Sequence, residues 1–108
     1  MAAQSINTQT FHKLLEGDKA VLVDYWAPWC GYCRRIAAPY EKIADQYAEH
    51  LHVTKINIDE EPLLADDQKI ELIPTLVLYR EGKAVASIVA PESKAAIDTF
   101  LQQHLAIE

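Results

Sequence analysis

The pattern of apolar and polar residues predicts four strands along the chain. Residues 20–26 are almost continuously apolar, which is typical of a central strand covered on both faces. Residues 52–59 alternate between apolar and polar, and this period of two predicts a second strand. Residues 75–79 predict a third strand. The turn signal Glu-Gly at 81–82 leads into a fourth strand at 84–89, so the last two strands form an antiparallel hairpin.

Two helices are predicted in the first half of the chain. Asn7 or Thr8 can cap the first helix, and Gly17 ends it. A longer helix follows residue 30 and carries apolar residues at spacings of four, three and four. Pro39 lies inside this longer helix. We expect a kink there because proline removes a backbone donor and its ring crowds the preceding turn.

Two further helices are predicted in the second half. Pro62 fits the first turn of a short helix that runs to about Lys69. Pro91 and the acidic residue after it open the last helix. The buried stripe of that helix is formed by Ile97, Phe100, Leu101 and Leu105. This order of strands and helices predicts an α/β fold with a mixed sheet.

The composition narrows the class of protein. With 108 residues the chain is long enough for one core but not for two, so we expect a single domain over residues 1–108. Sixteen acidic and ten basic residues give a net charge of −6, which disfavours nucleic acid and anionic membranes as partners. The first residues carry no signal-peptide pattern, and no apolar run approaches the roughly 20 residues that span a bilayer. A cytoplasmic location is therefore expected.

The chain contains two cysteines, Cys30 and Cys33, at i and i+3. If a helix begins there, the two residues share a face and their Cα atoms lie about 5–6 Å apart, which a disulfide tolerates. A bridge across two residues removes little loop entropy from the unfolded chain, so it stabilises the fold poorly. In the cytosol, paired cysteines are usually catalytic or metal-binding. Reversible redox chemistry is the better explanation of this pair.

Cys30 is the expected attacking thiol of the pair. It lies at the mouth of the predicted helix, where unpaired N–H groups and the helix dipole favour a thiolate. Arg34 follows one helical turn later and adds a positive charge. Cys33 lies one turn into the helix, so we expect it to be less exposed and to act as the resolving thiol.

A metal site is the alternative explanation for two cysteines. A structural zinc needs two further ligands, and His50 and His52 are the nearest candidates. One residue separates these histidines instead of the usual three to five, and His52 opens a predicted strand far from the cysteines. This spacing disfavours a zinc site. The alternative that remains is chiefly a metal ion shared between two chains.

Asp24 places a carboxylate in the middle of the central apolar strand. Burial raises the pKa of a carboxyl, so Asp24 is expected to exchange protons near neutrality. A structural acid whose oxygens are satisfied by hydrogen bonds is the alternative.

The motif Trp-Cys-Gly-x-Cys at 29–33, Asp24 in the preceding strand and Ile-Pro-Thr at 73–75 together resemble the thioredoxin family. The resemblance covers essentially the whole chain. It implies a thioredoxin fold, with a central mixed β-sheet flanked by helices on both faces. It also implies a thiol–disulfide oxidoreductase that reduces protein disulfides and holds no cofactor. The implied electron donor is an NADPH-dependent thioredoxin reductase, and a monomer is expected.

The resemblance also implies roles for individual residues. Asp24 would lie beneath the cysteines and assist proton transfer, and Lys55 would pair with it from the next strand. Pro74 would be cis and pack against the disulfide, although the residues alone favour trans because only about 5–6% of X-Pro bonds are cis. The implied substrate-binding residues are Trp29, Gly31, Tyr32, Ile73, Pro74 and Ala90. Trp26 and Trp29 are expected to line an apolar docking face.

Four positions depart from the family pattern. Tyr32 stands where proline is usual; tyrosine restores a backbone N–H, which we expect to point at the Cys30 sulfur. Pro39 comes one residue later than the usual helix-kinking proline. Leu72 and Ala90 replace common glycines near the active proline and before the last helix.

These departures leave two alternatives to a protein-disulfide reductase. One is a more oxidising, isomerase-like enzyme. The other is a thioredoxin-fold binding subunit without a redox role.

Overall fold

A computed structural model of the chain describes residues 3–105. One five-stranded sheet contains β1 (Gln4–Ser5), β2 (Ala20–Trp26), β3 (Leu51–Asn57), β4 (Thr75–Arg80) and β5 (Lys83–Val89). The strand order is β1-β3-β2-β4-β5, so the nearly continuous apolar strand β2 lies at the centre as expected. Strands β1, β3 and β2 are parallel, whereas β4 and β5 are antiparallel to their neighbours. The sheet is therefore mixed, as the sequence predicts.

Helices cover both faces of this sheet. They are α1 (Thr8–Leu15), α2 (Gly31–Arg35), α3 (Ala37–Gln46), α4 (Pro62–Asp67) and α5 (Lys94–Leu105). One core contains residues of α3 and α5, and the other contains residues of α1 and α4. Successive residues of a strand point to opposite faces. Leu22 accordingly packs in the α3 and α5 core, and Val21 and Val23 pack in the α1 and α4 core.

This alternation also decides on which face Asp24 lies. Asp24 is two residues from Leu22, so it shares the sheet face that α2, α3 and α5 cover. Residues 27–33, which include both cysteines and are called the cysteine segment below, lead from the end of β2 into α2. The sheet thus places a buried carboxylate beneath the helix that carries the two cysteines.

The start of α1 and the turn between β4 and β5 are determined by the residues at those positions. Asn7 caps α1, and its Oδ1 accepts a hydrogen bond from the Thr10 N–H at 2.9 Å. Glu81 and Gly82 have φ values of 54° and 80°. Two central residues with positive φ match the twist of a two-residue hairpin between β4 and β5. The predicted hairpin is confirmed.

The predicted long helix is divided earlier than expected. The expected kink at Pro39 is wrong in position, because α2 ends at Arg35 and α3 begins at Ala37. Proline at 39 has no N–H for the carbonyl of residue 35, and its ring crowds that carbonyl. The break at Ile36 places Pro39 in the first turn of α3, where helix N–H groups have no intrahelical acceptor.

Two other boundaries differ from the sequence prediction. The last helix begins at Lys94 and not at Pro91. Ser93 precedes it, and its Oγ accepts a hydrogen bond from the Ala96 N–H at 3.1 Å. The strand β1 was not predicted, because its two exposed residues carry no apolar pattern. Pairing with Thr54 and Lys55 of β3 defines that edge strand.

Candidate active site

Cys30 and Cys33 are joined by a disulfide at the start of α2. Their Cα atoms are 5.2 Å apart, within the range that the sequence predicts. Cys30 is the N-cap of α2, and its Sγ accepts a hydrogen bond from the backbone N–H of Cys33 at 3.1 Å. The exposed fraction is 8% for Cys30 and 4% for Cys33. Cys30 is thus nearer the surface and has a backbone donor aimed at its sulfur.

The backbone N–H that reaches the Cys30 sulfur belongs to Cys33. The expectation that the Tyr32 N–H points there is therefore wrong. In a capped first turn, the cap side chain bonds the N–H two or three residues later, and Cys33 is three residues after Cys30. The distinctive contact of Tyr32 comes from its hydroxyl, which donates to the carbonyls of Ala90 and Pro91 at 3.2 Å each.

The segment before β4 lies against the cysteine pair. The Ile73–Pro74 peptide bond is cis, as the family resemblance implies and the residues alone do not. Cys30 Sγ lies 4.0 Å from the Ile73 carbonyl oxygen. The Pro74 carbonyl accepts a hydrogen bond from the Ala90 N–H at 2.8 Å. The cysteine segment, the 73–74 segment and Ala90 therefore meet around the disulfide.

The surface beside the disulfide is open and partly apolar. Trp29 is 66% exposed, and Leu72 is 62% exposed. If Gly31 carried a Cβ, that atom would lie more than 4 Å from every described heavy atom outside its chain neighbours and the adjacent helix backbone. This side of α2 is therefore open. The Trp29 indole N–H donates to Asp59 Oδ2 at 3.0 Å, which restrains the exposed ring. A contiguous patch of exposed apolar groups is typical of surfaces that bind other proteins, and that role for Trp29 stays a prediction.

Trp26 does not share that exposed surface. Its buried Nε1 has no hydrogen-bond partner among the described residues, and the same is true of Asp24 Oδ1. Both side chains line one cavity of about 80 Å³, together with Cys33 and Lys55. Of the two tryptophans expected to line a docking face, only Trp29 is exposed beside the cysteines, and its role in docking stays a prediction.

Asp24 is 4% exposed, and burial raises its pKa to about 7. The positive charge of Lys55 opposes this shift. Asp24 and Lys55 are register partners on β2 and β3. The Lys55 ammonium lies 5.6 Å from the centroid of the Trp26 ring. A carboxyl with a pKa near neutrality, in a cavity shared with Cys33, has the properties of a proton donor and acceptor for that thiol.

We predict that Lys55→Met raises the pKa of the Asp24 carboxyl further, by about half a unit to one unit, because the ammonium charge favours the carboxylate. Titration of the Asp24 carboxyl followed by NMR measures this pKa directly. Lys83→Met is the control, because Lys83 is exposed at the start of β5. A pKa that stays the same or falls in Lys55→Met would show that Lys55 does not act on Asp24 through its charge.

The histidines considered as metal ligands do not meet the cysteines. Among residues 3–105, no three His, Cys, Asp or Glu side chains form a group that could hold a metal ion. Burial lowers the pKa of His52, and the nearby Lys19 charge lowers it further. The same part of the chain contains no helix long and apolar enough to cross a membrane.

Sequence reasoning missed two contacts of the site. Neither the Trp29–Asp59 bond nor the bond from Tyr32 to the 90–91 carbonyls was expected. The Trp29–Asp59 bond had a signal in the sequence, since Trp29 follows one predicted strand and Asp59 is the last residue of the next. The carboxyl ends of neighbouring parallel strands meet at one edge of a sheet. The second had none, because 58 residues separate Tyr32 from Ala90.

The chain matches known proteins over nearly its whole length. The family model "Thioredoxin" matches residues 2–103. A thioredoxin of Acidithiobacillus ferridurans is 48% identical over 92 residues, which cover 85% of each chain. Thioredoxin 1 of a Nostoc species is 40% identical over 105 residues, which cover 96% of this chain and 98% of the relative.

Further relatives extend this similarity to a plastid protein and to a solved structure. The chloroplastic M-type thioredoxin of Chlamydomonas reinhardtii is 39% identical over 104 residues, covering 95% of this chain and 74% of the relative, so some relatives lie outside the cytoplasm. The crystal structure of Malassezia sympodialis thioredoxin superposes with a TM-score of 0.87 at 30% identity, covering 96% of this chain and 91% of that chain. The predicted fold is confirmed. The chain belongs to the thioredoxin family of thiol–disulfide oxidoreductases.

Proposed function

We propose that this chain reduces protein disulfides, with Cys30 as the attacking thiol and Cys33 as the resolving thiol. The observation that carries the assignment is the position of Cys30 at the N-cap of α2, where the Cys33 N–H donates to its sulfur. A hydrogen bond from an N–H stabilises a thiolate over a thiol. Cys30 is also the more exposed of the two cysteines, so a substrate sulfur can approach it.

The proposed reaction transfers two electrons in two exchanges. In the reduced form, the Cys30 thiolate attacks one sulfur of the substrate disulfide, that S–S bond breaks, and the other substrate sulfur leaves as a thiolate. Cys33 then gives its proton to the Asp24 carboxylate and attacks Cys30 Sγ. The Cys30–Cys33 disulfide forms, and the second substrate sulfur leaves as a thiolate. Lys55 assists by keeping the pKa of Asp24 from rising further.

The substrate chain is proposed to bind across the surface around the disulfide. Trp29 supplies an exposed apolar ring, and Gly31 leaves the start of α2 open. An extended segment of the substrate would pair with the backbone at Ile73, beside Pro74. Ala90 and Tyr32 would border this surface on the side of α5.

The proposed partners are disulfide-containing proteins and an NADPH-dependent thioredoxin reductase, which would reduce the Cys30–Cys33 disulfide after each cycle. The chain would work as a monomeric single domain of residues 1–108 in the cytoplasm, and it would need no cofactor of its own. The net charge of −6 supports the proposal that neither nucleic acid nor an anionic membrane is a partner.

Insulin reduction tests this function, with dithiothreitol as electron donor and precipitation of the released chains as the signal. We expect the wild-type chain to accelerate the reaction and the double variant Cys30→Ser, Cys33→Ser to remain at the uncatalysed rate. Equal acceleration by both proteins would exclude the cysteines as the active groups. A wild-type chain that remains at the uncatalysed rate would instead favour a binding subunit. Equilibration with glutathione separates a reductase from the isomerase-like alternative, for which a potential of about −180 mV is typical.

A further inference from the structure

The Tyr32 side chain connects the cysteine motif to the loop between β5 and α5. Its hydroxyl donates to the carbonyls of Ala90 and Pro91, at 3.2 Å each. The ring packs against the core formed by α3 and α5, and the Arg35 guanidinium lies 5.7 Å from its centroid. The hydroxyl therefore extends from a ring that is itself held in place by packing.

Ala90 is fixed from two sides by hydrogen bonds. Its N–H donates to the Pro74 carbonyl at 2.8 Å, and its carbonyl accepts from Tyr32. Its φ is 46°, in the left-handed region that residues with a Cβ seldom adopt. Glycine adopts a positive φ without steric cost, whereas the Cβ of alanine makes this conformation unfavourable. The loop therefore depends on these hydrogen bonds to keep its shape.

These bonds join the three segments around the disulfide. Tyr32 belongs to the cysteine segment, Pro74 precedes β4, and Ala90 follows β5. Within this set, the Tyr32 hydroxyl joins the cysteine segment to the loop. A surface that is ordered before binding loses less conformational entropy when a partner docks.

We propose that Tyr32 is a positioning residue that holds the 90–91 loop ready for a protein substrate. This inference rests on the proposed function and adds a role for the hydroxyl of Tyr32. It predicts that loss of the hydroxyl weakens docking of a folded protein substrate. A small disulfide has no polypeptide segment to place against the loop, so we expect its reaction to depend little on Tyr32.

The test compares Tyr32→Phe, which keeps the ring, with the wild-type chain. For insulin we expect KM to rise about three- to tenfold while kcat changes less than about twofold, because the hydroxyl acts on docking. With the small disulfide 5,5′-dithiobis(2-nitrobenzoate), we expect rates to agree within about twofold. The control is Tyr47→Phe, which removes a hydroxyl that donates to Asp98 Oδ1 at 3.0 Å. That variant should behave as the wild type with both substrates.

Amide hydrogen exchange at Ala90 tests the same contact without activity. In Tyr32→Phe we expect exchange at Ala90 to become about tenfold faster, because the loop opens more often. Unchanged exchange, an unchanged KM for insulin, or an equal loss of rate with both substrates would overturn the proposal. A wild-type chain that reduces neither disulfide would overturn the proposed function itself, and the docking role with it.

Discussion

Replacing Cys33 with serine is expected to stop turnover and to leave Cys30 bound to its substrate as a mixed disulfide. Serine cannot attack the Cys30 sulfur, so the second exchange does not occur. Multiple-turnover reduction of insulin should fall on the order of 10³-fold or more, as it does when other enzymes lose a reacting side chain. Mass spectrometry of the trapped product should show one substrate chain attached through Cys30.

The reverse variant, Cys30→Ser, is the matched control. Because the chain has two cysteines, each single variant keeps one, and any adduct identifies the reacting residue. We expect Cys33 alone to react much more slowly, since it is 4% exposed and lies one turn inside the helix. Efficient trapping through Cys33 would reverse the assignment of attacking and resolving thiols.

The sequence predicted those parts of the fold that local chemistry determines. The apolar run at 20–26 identified the central strand β2, and Glu81-Gly82 identified the hairpin turn. The edge strand β1 was not predictable in this way, because Gln4 and Ser5 are exposed and pair with β3 only after the sheet has formed. The start of α5 had a local signal in Ser93, which the more prominent Pro91 obscured.

For the candidate site as well, local sequence patterns predicted some features and could not predict others. The cysteine spacing predicted a redox pair, and the position of Asp24 in an apolar strand predicted a buried acid. The placement of that acid beneath the pair came from the family resemblance. The cis bond at Pro74 required the family resemblance, because the residues alone favour trans. The contacts of Tyr32 and Trp29 span 58 and 30 residues, so they depend on how the segments pack. No local pattern around Tyr32 encodes its bond to Ala90.

Replacing Asp24 with asparagine is expected to stabilise the oxidised protein at pH 8 and to slow its reaction. Burial raises the pKa of Asp24 from 3.8 to about 7, so the folded state binds this proton more tightly than the unfolded state. Ionisation of Asp24 therefore costs folding free energy progressively as pH rises between these values. Above pH 7 the cost is complete and corresponds to about 4 kcal/mol, and well below pH 3.8 it is absent.

Asparagine carries no charge at any of these pH values. Urea unfolding at pH 8 should therefore show Asp24→Asn to be more stable than the wild type by up to about 4 kcal/mol, less what its buried amide costs. The difference should decrease toward zero as pH falls through the window from 7 to 4. Asp18→Asn is the control, because Asp18 is exposed and its replacement should leave stability unchanged at both ends.

The kinetic result decides whether the buried charge has a function. If Asp24 accepts the Cys33 proton, Asp24→Asn should lower the rate of mixed-disulfide resolution on the order of 10²-fold, the size typical of a lost general base. The wild-type rate should rise as Asp24 ionises near pH 7, and the variant should lose that rise. A variant that is more stable at pH 8 yet resolves mixed disulfides at the wild-type rate from pH 6 to 9 would leave Asp24 no role in proton transfer.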